Sequence, residues 1–299
     1  MSMMPSMPTA GKKLRKEESE YYNCQFKARY NFFVGGGHVK QKFLVSFCVI
    51  SLLLVVFSKG AEAVPPLVAG DVPTADKNHV EWFIGMRYQK TGTLERQIPF
   101  TELVYGVSER QELTFEIPYL SIDGNHGFGD AVLGTKFQFI KETDRIPGVA
   151  GSFELKLDNA SQTKGLGTGA KEYDLRLRSQ KSWAWFTGLI NIGCTFVGEP
   201  KIEGVHQKRD NVLFTAFAQE FEIDPKTKIL SEIYWKNSDE PSGPDRFAFD
   251  VGFKHHLFKH LALHAAVGKS LREDNLEGPD LRVYAGMKIE FPVIEGMNP

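Results

Sequence analysis

The chain has 299 residues, a formal net charge of −1 and 24% charged residues, so it lacks the basic excess of nucleic-acid-binding proteins. Its three cysteines, Cys24, Cys48 and Cys194, are too few for a disulfide framework and show no metal-binding spacing. We therefore expect no nucleic-acid partner, no metal and no other cofactor.

The first predicted element is an uninterrupted apolar run, FLVSFCVISLLLVVF, at residues 43–57. It is short for a membrane-spanning helix, which needs about 20 residues. Two lysines precede it and Ala61-Glu62-Ala63 follows it, an order typical of a secretory signal peptide. We assign residues 39–63 to a signal peptide and residues 64–299 to the mature domain; an uncleaved anchor helix is the alternative.

Residues 1–38 are polar, mixed and too long for an ordinary signal-peptide n-region. We expect them to be either untranslated or disordered. In the first case translation starts at Val39, read from a GTG codon, and a Val39 codon other than GTG would contradict that start.

The mature domain alternates apolar and polar residues with a period of two, the signature of β-strands with one apolar face. Residues 111–119 are an example, with an apolar residue at each odd position from Leu113 to Tyr119. The pattern predicts twelve strands, at 79–90, 94–106, 110–120, 129–141, 148–159, 169–180, 183–197, 210–223, 227–237, 245–257, 260–271 and 279–291.

The glycines in GFGDAVLGTKFQFI, residues 127–140, raise the question of a phosphate-binding loop. Such a loop needs a helix after the glycines, so that the N–H groups of the helix point at the anion. A strand pattern follows instead, and the Gly-Lys-Ser/Thr ending of a nucleotide loop is missing. We interpret the glycines as a turn that leads into the fourth strand.

Strand length and connection length indicate the fold class. Strands of 11 to 15 residues are long for a soluble sandwich but suit tilted strands that cross a bilayer. Short and longer connections alternate along the chain, as in outer-membrane barrels. The sequence therefore predicts an all-β protein, a closed antiparallel up-and-down transmembrane β-barrel of about 12 strands in the bacterial outer membrane. A lipocalin-like or sandwich protein is the soluble alternative.

Two smaller patterns support contacts with the membrane and with the assembly machinery. Trp183 and Trp185 flank a short turn, where aromatic residues form the girdle at the membrane–water interface. The last strand carries Tyr284, Gly286, Ile289 and Phe291 at the spacing of an outer-membrane assembly signal. We therefore expect two partners, the lipid bilayer and the outer-membrane assembly machinery.

If the apolar faces contact lipid, the ionised side chains face a lumen that must contain water or paired charges. The predicted lumen-lining residues are Asp130, Lys136, Glu154, Lys156, Asp158, Asp174, Arg176, Arg178, Asp250, Lys254 and His264. Charges on the fifth and sixth strands are neighbours and can pair across the ladder. Two interpretations remain open: a channel wall that selects solutes, or a salt-bridged set of side chains that fills a narrow barrel.

The stretches PFTELVYGVSERQELTFEIPYL (99–120) and GFGDAVLGTKFQF (127–139) resemble the MetA-pathway of phenol degradation family, outer-membrane β-barrels often called transporters. The likeness extends over most of the mature domain and not over residues 1–63. It implies a barrel and the passage of small compounds, including aromatic ones, and it brings no catalytic residues.

We therefore expect a non-enzymatic channel for passive transport of small solutes, including aromatic or hydrophobic compounds. The first alternative is a non-conducting structural or adhesion barrel whose lumen is plugged by side chains. The second is a barrel lipid hydrolase, although the sequence contains no His-x-Ser-Asn motif to supply its catalytic serine.

Overall fold

The structure, a computed structural model, describes residues 66–122, 124–202, 205–271 and 278–293. The predicted signal peptide and the residues before it lie outside these ranges. Within the described ranges, no helix is long and apolar enough to cross a membrane.

The described chain is built from β-strands. In chain order they are β1 (His79–Thr91), β2 (Leu94–Ser108), β3 (Gln111–Ile122), β4 (Asn125–Phe128), β5 (Val132–Ile140), β6 (Gly148–Lys156), β7 (Glu172–Trp183), β8 (Phe186–Val197), β9 (Lys201–Ile202), β10 (Val205–His206), β11 (Val212–Asp224), β12 (Thr227–Lys236), β13 (Arg246–Phe258), β14 (Leu261–Ser270) and β15 (Leu281–Pro292).

Twelve of these strands form one closed antiparallel sheet. Strand β1 pairs with β2 on one side and with β15 on the other, so that Val80 is opposite both Tyr105 and Phe291. Closure leaves no open edge along the barrel, and in lipid every backbone N–H and C=O group needs a partner within the protein. The predicted twelve-stranded barrel is confirmed.

The remaining elements belong to the connections. Strand β4 pairs with the end of β3, β9 pairs with β10, and a 3₁₀ helix covers Gln162–Lys164. All three lie on the rim with the longer connections, which we call the long-loop rim. The opposite rim, the short-turn rim, has connections as brief as residues 184–185 and 225–226. After the first hairpin, whose connection on the long-loop rim is only residues 92–93, the predicted asymmetry of the connections is confirmed.

The outward face is an apolar belt. Leu113, Phe137, Leu175, Ile192 and Phe249 are each more than two-fifths exposed, and each follows the outward register of its strand. Exposed apolar surface on this scale requires a non-aqueous environment. The belt therefore marks the surface that contacts lipid.

The inward face combines charged residues with aromatic ones. Phe83 and Phe100 are buried with Tyr284 in one cluster, and Phe214 with Tyr234 in another. On each strand these rings lie an even number of positions from the inward-facing charged residues, so all five rings also face the lumen. The lumen is therefore more aromatic than the simple division into outward apolar and inward ionised residues predicts.

Candidate functional site in the barrel lumen

Residues 66–78, which we call the luminal segment, run inside the barrel before β1 begins. Glu232 on β12 accepts hydrogen bonds from the backbone N–H groups of Val68 (2.7 Å) and Ala69 (2.8 Å). The Asn191 amide on β8 accepts from Gly70 N at 2.8 Å and donates to Gly70 O at 2.9 Å. Because these bonds satisfy backbone groups buried away from water, they fix the segment against the wall.

Ion pairs fasten the same segment near the short-turn rim. The Lys136 ammonium lies 2.9 Å from Asp71 Oδ1 and 3.1 Å from Glu112 Oε1, and all three residues are buried. Glu112 also accepts a hydrogen bond from Ala75 N at 2.7 Å. The three charges are thus paired and hydrogen-bonded, the condition under which buried charge is tolerated.

The segment follows one part of the wall. Its hydrogen bonds pass from β12 to β8, then to Gln180 on β7 and finally to Glu112 on β3. These partners lie progressively closer to the short-turn rim. The segment therefore descends along an arc of the barrel and narrows the lumen on that side.

Three of the predicted lumen-lining residues lie on the inner face of β7. Asp174 accepts hydrogen bonds from Arg176 (2.8 Å) and from Thr195 (2.6 Å). The two arginines reach the luminal segment: Arg176 donates to Val68 O at 3.2 Å, and Arg178 donates to Asp71 O at 3.5 Å. The structure thus brings these residues together around residues 68–71.

The expected pairing of charges between β6 and β7 is partial. Lys156 is opposite Glu172 and forms an ion pair with it, as the cross-strand prediction requires. Glu154, however, is opposite Asp174, a residue of the same charge, and its only described ion pair is a 3.9 Å contact with Arg178. The antiparallel register therefore aligns some like charges.

Asp130 and Asp158 are not on strands, in contrast to the prediction. Strand β5 begins at Val132 because Asp130 is buried in a turn and accepts hydrogen bonds from Ala160 N and Thr168 N, each at 2.9 Å. Strand β6 ends at Lys156, and Asp158 is exposed in the connection that follows. Asp130 thus organises a loop on the long-loop rim.

The other predicted lumen residues lie on the opposite part of the wall. Lys254 on β13 is buried 3.4 Å from Glu220, and Asp250 on the same strand lies 2.7 Å from Arg282. His264 on β14 is buried, with its ring centroid 6.2 Å from that of Phe83.

A cavity of about 310 Å³ opens beside the start of the luminal segment. Pro66 and Leu67 form one side, and the facing wall belongs to β13, β14, β15 and β1. Its charged lining consists of Arg87, Arg176, Asp250 and Arg282. The volume is at the lower end of the range of about 300–1,000 Å³ found for small-molecule sites.

Each arginine of the cavity packs on an aromatic ring. The guanidinium carbon of Arg87 lies 4.0 Å from the ring centroid of Phe100. The corresponding distances are 4.6 Å from Arg176 to Phe214 and 5.4 Å from Arg282 to Tyr234. Such stacking holds a cation over the negative face of a ring. The cavity wall therefore presents guanidinium groups that are supported by aromatic rings, together with Tyr284.

The residues assigned to the membrane interface lie near the short-turn rim. Trp183 is exposed, and its ring centroid is 5.5 Å from that of Phe186; the Trp185 ring stacks on Phe221 at 5.8 Å. On β15, Ile289 and Phe291 belong to the outward set, whereas Tyr284 and Gly286 belong to the inward set. Tyr284 packs against Phe100, with ring centroids 5.8 Å apart.

Sequence reasoning missed the luminal segment and its partners Glu112, Asn191 and Glu232. The segment PLVAGDVPTADKN has no alternation to place it on a sheet. Glu112 and Glu232 share the inward register of their strands, and this is the signal that could have identified them. Among the described residues, no group of His, Cys, Asp and Glu side chains is arranged to hold a metal ion.

No protein-family model and no curated protein matches the sequence. Solved structures do share the fold. An outer membrane channel from Pseudomonas putida F1 superposes with a TM-score of 0.66 at 14% identity, covering 77% of this chain and 100% of that chain. A NanC porin superposes with a TM-score of 0.50 at 9% identity, covering 70% of this chain and 98% of that chain. The fold is that of a bacterial outer-membrane β-barrel.

Proposed function

We propose that this protein is an outer-membrane channel for the passive movement of small solutes. The observation that carries the proposal is a closed barrel whose lumen holds a cavity of about 310 Å³ with a charged and aromatic lining. A lining of this kind discriminates between solutes by charge and shape, as channel walls do. Two of the solved structures that share the fold are a channel and a porin.

The solutes we propose include small aromatic or hydrophobic compounds. Two observations support this class: the resemblance of residues 99–120 and 127–139 to the MetA-pathway of phenol degradation family, and the luminal rings of Phe100, Phe214 and Tyr234. Stacked rings favour flat apolar solutes because aromatic pairs gain energy beyond the area that they bury.

A non-conducting barrel is the second candidate, and the luminal segment favours it. Residues 66–78 occupy part of the lumen, and the charges near the short-turn rim are paired. In that case the lumen is a polar core, and the long connections bind a partner. Conductance distinguishes the two candidates.

The test uses purified, folded protein in planar bilayers and in liposomes that swell when a solute enters. We expect single-channel currents and swelling with small solutes such as arabinose and phenol. Ala266→Trp fills the cavity and should reduce both signals severalfold. Ala265→Trp is the matched control, because Ala265 is the neighbouring residue on the outward face of β14. Absence of current and swelling in folded protein would favour the non-conducting barrel.

Three further assignments from the sequence are part of the proposal. Residues 39–63 act as a signal peptide, so the N-terminal sequence of the mature protein should begin at Val64. Tyr284, Gly286, Ile289 and Phe291 form the signal for the assembly machinery, and Phe291→Ala should therefore slow membrane insertion. Trp183 and Trp185 anchor the short-turn rim at the periplasmic interface.

A further inference from the structure

Two cations face each other at the long-loop rim. Lys236 is the last residue of β12 and Arg246 the first of β13, and they are direct partners in the antiparallel register. Both belong to the inward set of their strands, in phase with the buried residues Tyr234 and Ala248. Like charges directly opposite each other destabilise a sheet. An anion placed between the two cations would offset this repulsion.

The neighbouring carboxylates are already engaged. Asp250 lies 2.7 Å from Arg282, and Asp174 lies 2.8 Å from Arg176. Asp239, whose negative charge acts on Lys236, lies 3.1 Å from Arg209. Among the described residues, none brings a carboxylate within ion-pairing distance of Lys236 or Arg246. The positive charges of Arg176 and Arg282 add to those of this pair.

Buried polar atoms at the same place also lack partners. Arg246 Nε and Ser270 Oγ are buried without a hydrogen-bond partner among the described residues, and both side chains adjoin Gly278. A buried donor that stays unsatisfied costs a large part of its hydration free energy. An anion at this place would accept from Arg246 and reduce the like-charge repulsion.

Arg282 links the cavity to the strand that carries Lys236. It lines the cavity and donates a hydrogen bond at 2.6 Å to Tyr234, the inward residue of β12 that precedes Lys236. The cavity also has apolar surface, from Pro66 and Leu67 on one side and from Ala266 on the facing wall. A ligand that matches both regions carries an anionic group at one end and a small apolar body at the other.

We propose that the outer lumen binds small carboxylates with an apolar body, such as aromatic carboxylates. Lys236 and Arg246 hold the carboxylate, because charge-assisted hydrogen bonds from such cations are the strong ones. The apolar body occupies the cavity against Pro66 and Leu67. The proposal rests on the proposed function, since it specifies a class of solute for the channel, but binding is measurable without transport.

The experiment is calorimetric titration of the full mature protein in detergent at low salt, with benzoate, benzamide and inorganic phosphate as probes. We expect benzoate to bind and benzamide, its uncharged analogue, to bind at least about tenfold more weakly. Phosphate should also bind more weakly than benzoate, because it lacks the apolar body. Lys236→Met and Arg246→Met should each weaken benzoate binding about tenfold.

The matched control is Lys269→Met, which removes an outward-facing cation of β14 near the same rim and should leave benzoate binding unchanged. Lys236→Arg keeps the charge and should retain binding, which separates loss of the cation from misfolding. Equal binding of benzoate and benzamide would overturn the proposal, and so would equal effects of Lys236→Met and Lys269→Met.

Liposome swelling with arabinose measures transport, the proposed function, independently of benzoate binding. Swelling without benzoate binding would refute the carboxylate site and leave the channel intact. Benzoate binding without any swelling or current would support the site and contradict the channel.

Discussion

The two ends of the lumen use their charges in opposite ways. Near the short-turn rim, Lys136 lies between two carboxylates, at 2.9 Å from Asp71 and 3.1 Å from Glu112. At the long-loop rim, Lys236 is opposite Arg246, with no carboxylate at ion-pairing distance among the described residues. The inner charges hold the luminal segment in place, whereas the two outer cations are opposite each other.

The comparison predicts different consequences for the loss of one lysine at each end. Removing one partner of a buried ion pair leaves the other charge unpaired in a poorly hydrated site, and this is strongly destabilising. Removing one of two opposed like charges relieves repulsion instead. Stability and transport measurements therefore test whether the two ends of the lumen differ in this way.

The largest effect is expected at the inner end. Lys136→Met leaves Asp71 and Glu112 buried without their cation, and should lower the free energy of unfolding by about 3–5 kcal/mol. This change in the free energy of unfolding is measured by urea denaturation of the protein in micelles. Lys141→Met, which breaks an exposed pair with Glu109 on the same rim, should have almost no effect. Equal effects of the two substitutions would contradict a buried structural role for Lys136.

Removal of the luminal segment tests its effect on transport. Deletion of residues 66–75 should increase single-channel conductance severalfold, because this segment narrows the lumen along the arc from β12 to β3. Single-channel recording compares the deletion variant with the complete mature chain. Unchanged conductance in folded protein would show that the conducting path does not pass the segment.

A smaller effect is expected where the segment is held by one amide. Asn191→Leu keeps the approximate size of the side chain and removes both hydrogen bonds to Gly70. The unsatisfied backbone groups should cost about 1–3 kcal/mol in unfolding free energy and increase the current noise as the segment moves. Ile192→Leu, on the outward face of β8, serves as the control. Quiet currents and unchanged stability would show that Asn191 is not a fastening point.

The smallest effect is expected at the outer end, and it has the opposite sign. Lys236→Met removes repulsion with Arg246, and should raise the free energy of unfolding by up to about 1 kcal/mol at low salt without organic anions. The same urea experiment measures the change. A loss of stability comparable to that of Lys136→Met would mean that the two ends of the lumen do not differ.

The strands could be predicted from the sequence because one lipid-facing side and one luminal side impose strict alternation. The predicted range 79–90 agrees with β1, and 227–237 agrees with β12. The predicted starts at 129 and 169 are each three residues early, because Asp130 draws Ala160 and Thr168 into a hydrogen-bonded turn. Such long-range side-chain bonds leave no periodic signal in the sequence.

The site could be predicted only in part. The alternation predicts that the side chains of Lys136 and Arg176 face the lumen, but it does not predict their partners. For example, the partner of Lys136 is Asp71, which is 65 residues away and outside any strand. The luminal rings escape prediction for another reason: the assignment of apolar faces to lipid leaves no place for apolar rings inside the barrel. Phe83 shares the register of Glu81 and Arg87, and this phase is what identifies it as luminal.

The luminal segment borders the cavity only at its start, with Pro66, Leu67 and Val68. Residues 68–75 are tied to β12, β8, β7 and β3, whereas the cavity faces β13, β14, β15 and β1. Under the proposed channel function, a solute that enters the cavity therefore meets the start of the segment and not its fastened part. Phe83 and His264, whose ring centroids are 6.2 Å apart, are buried on β1 and β14.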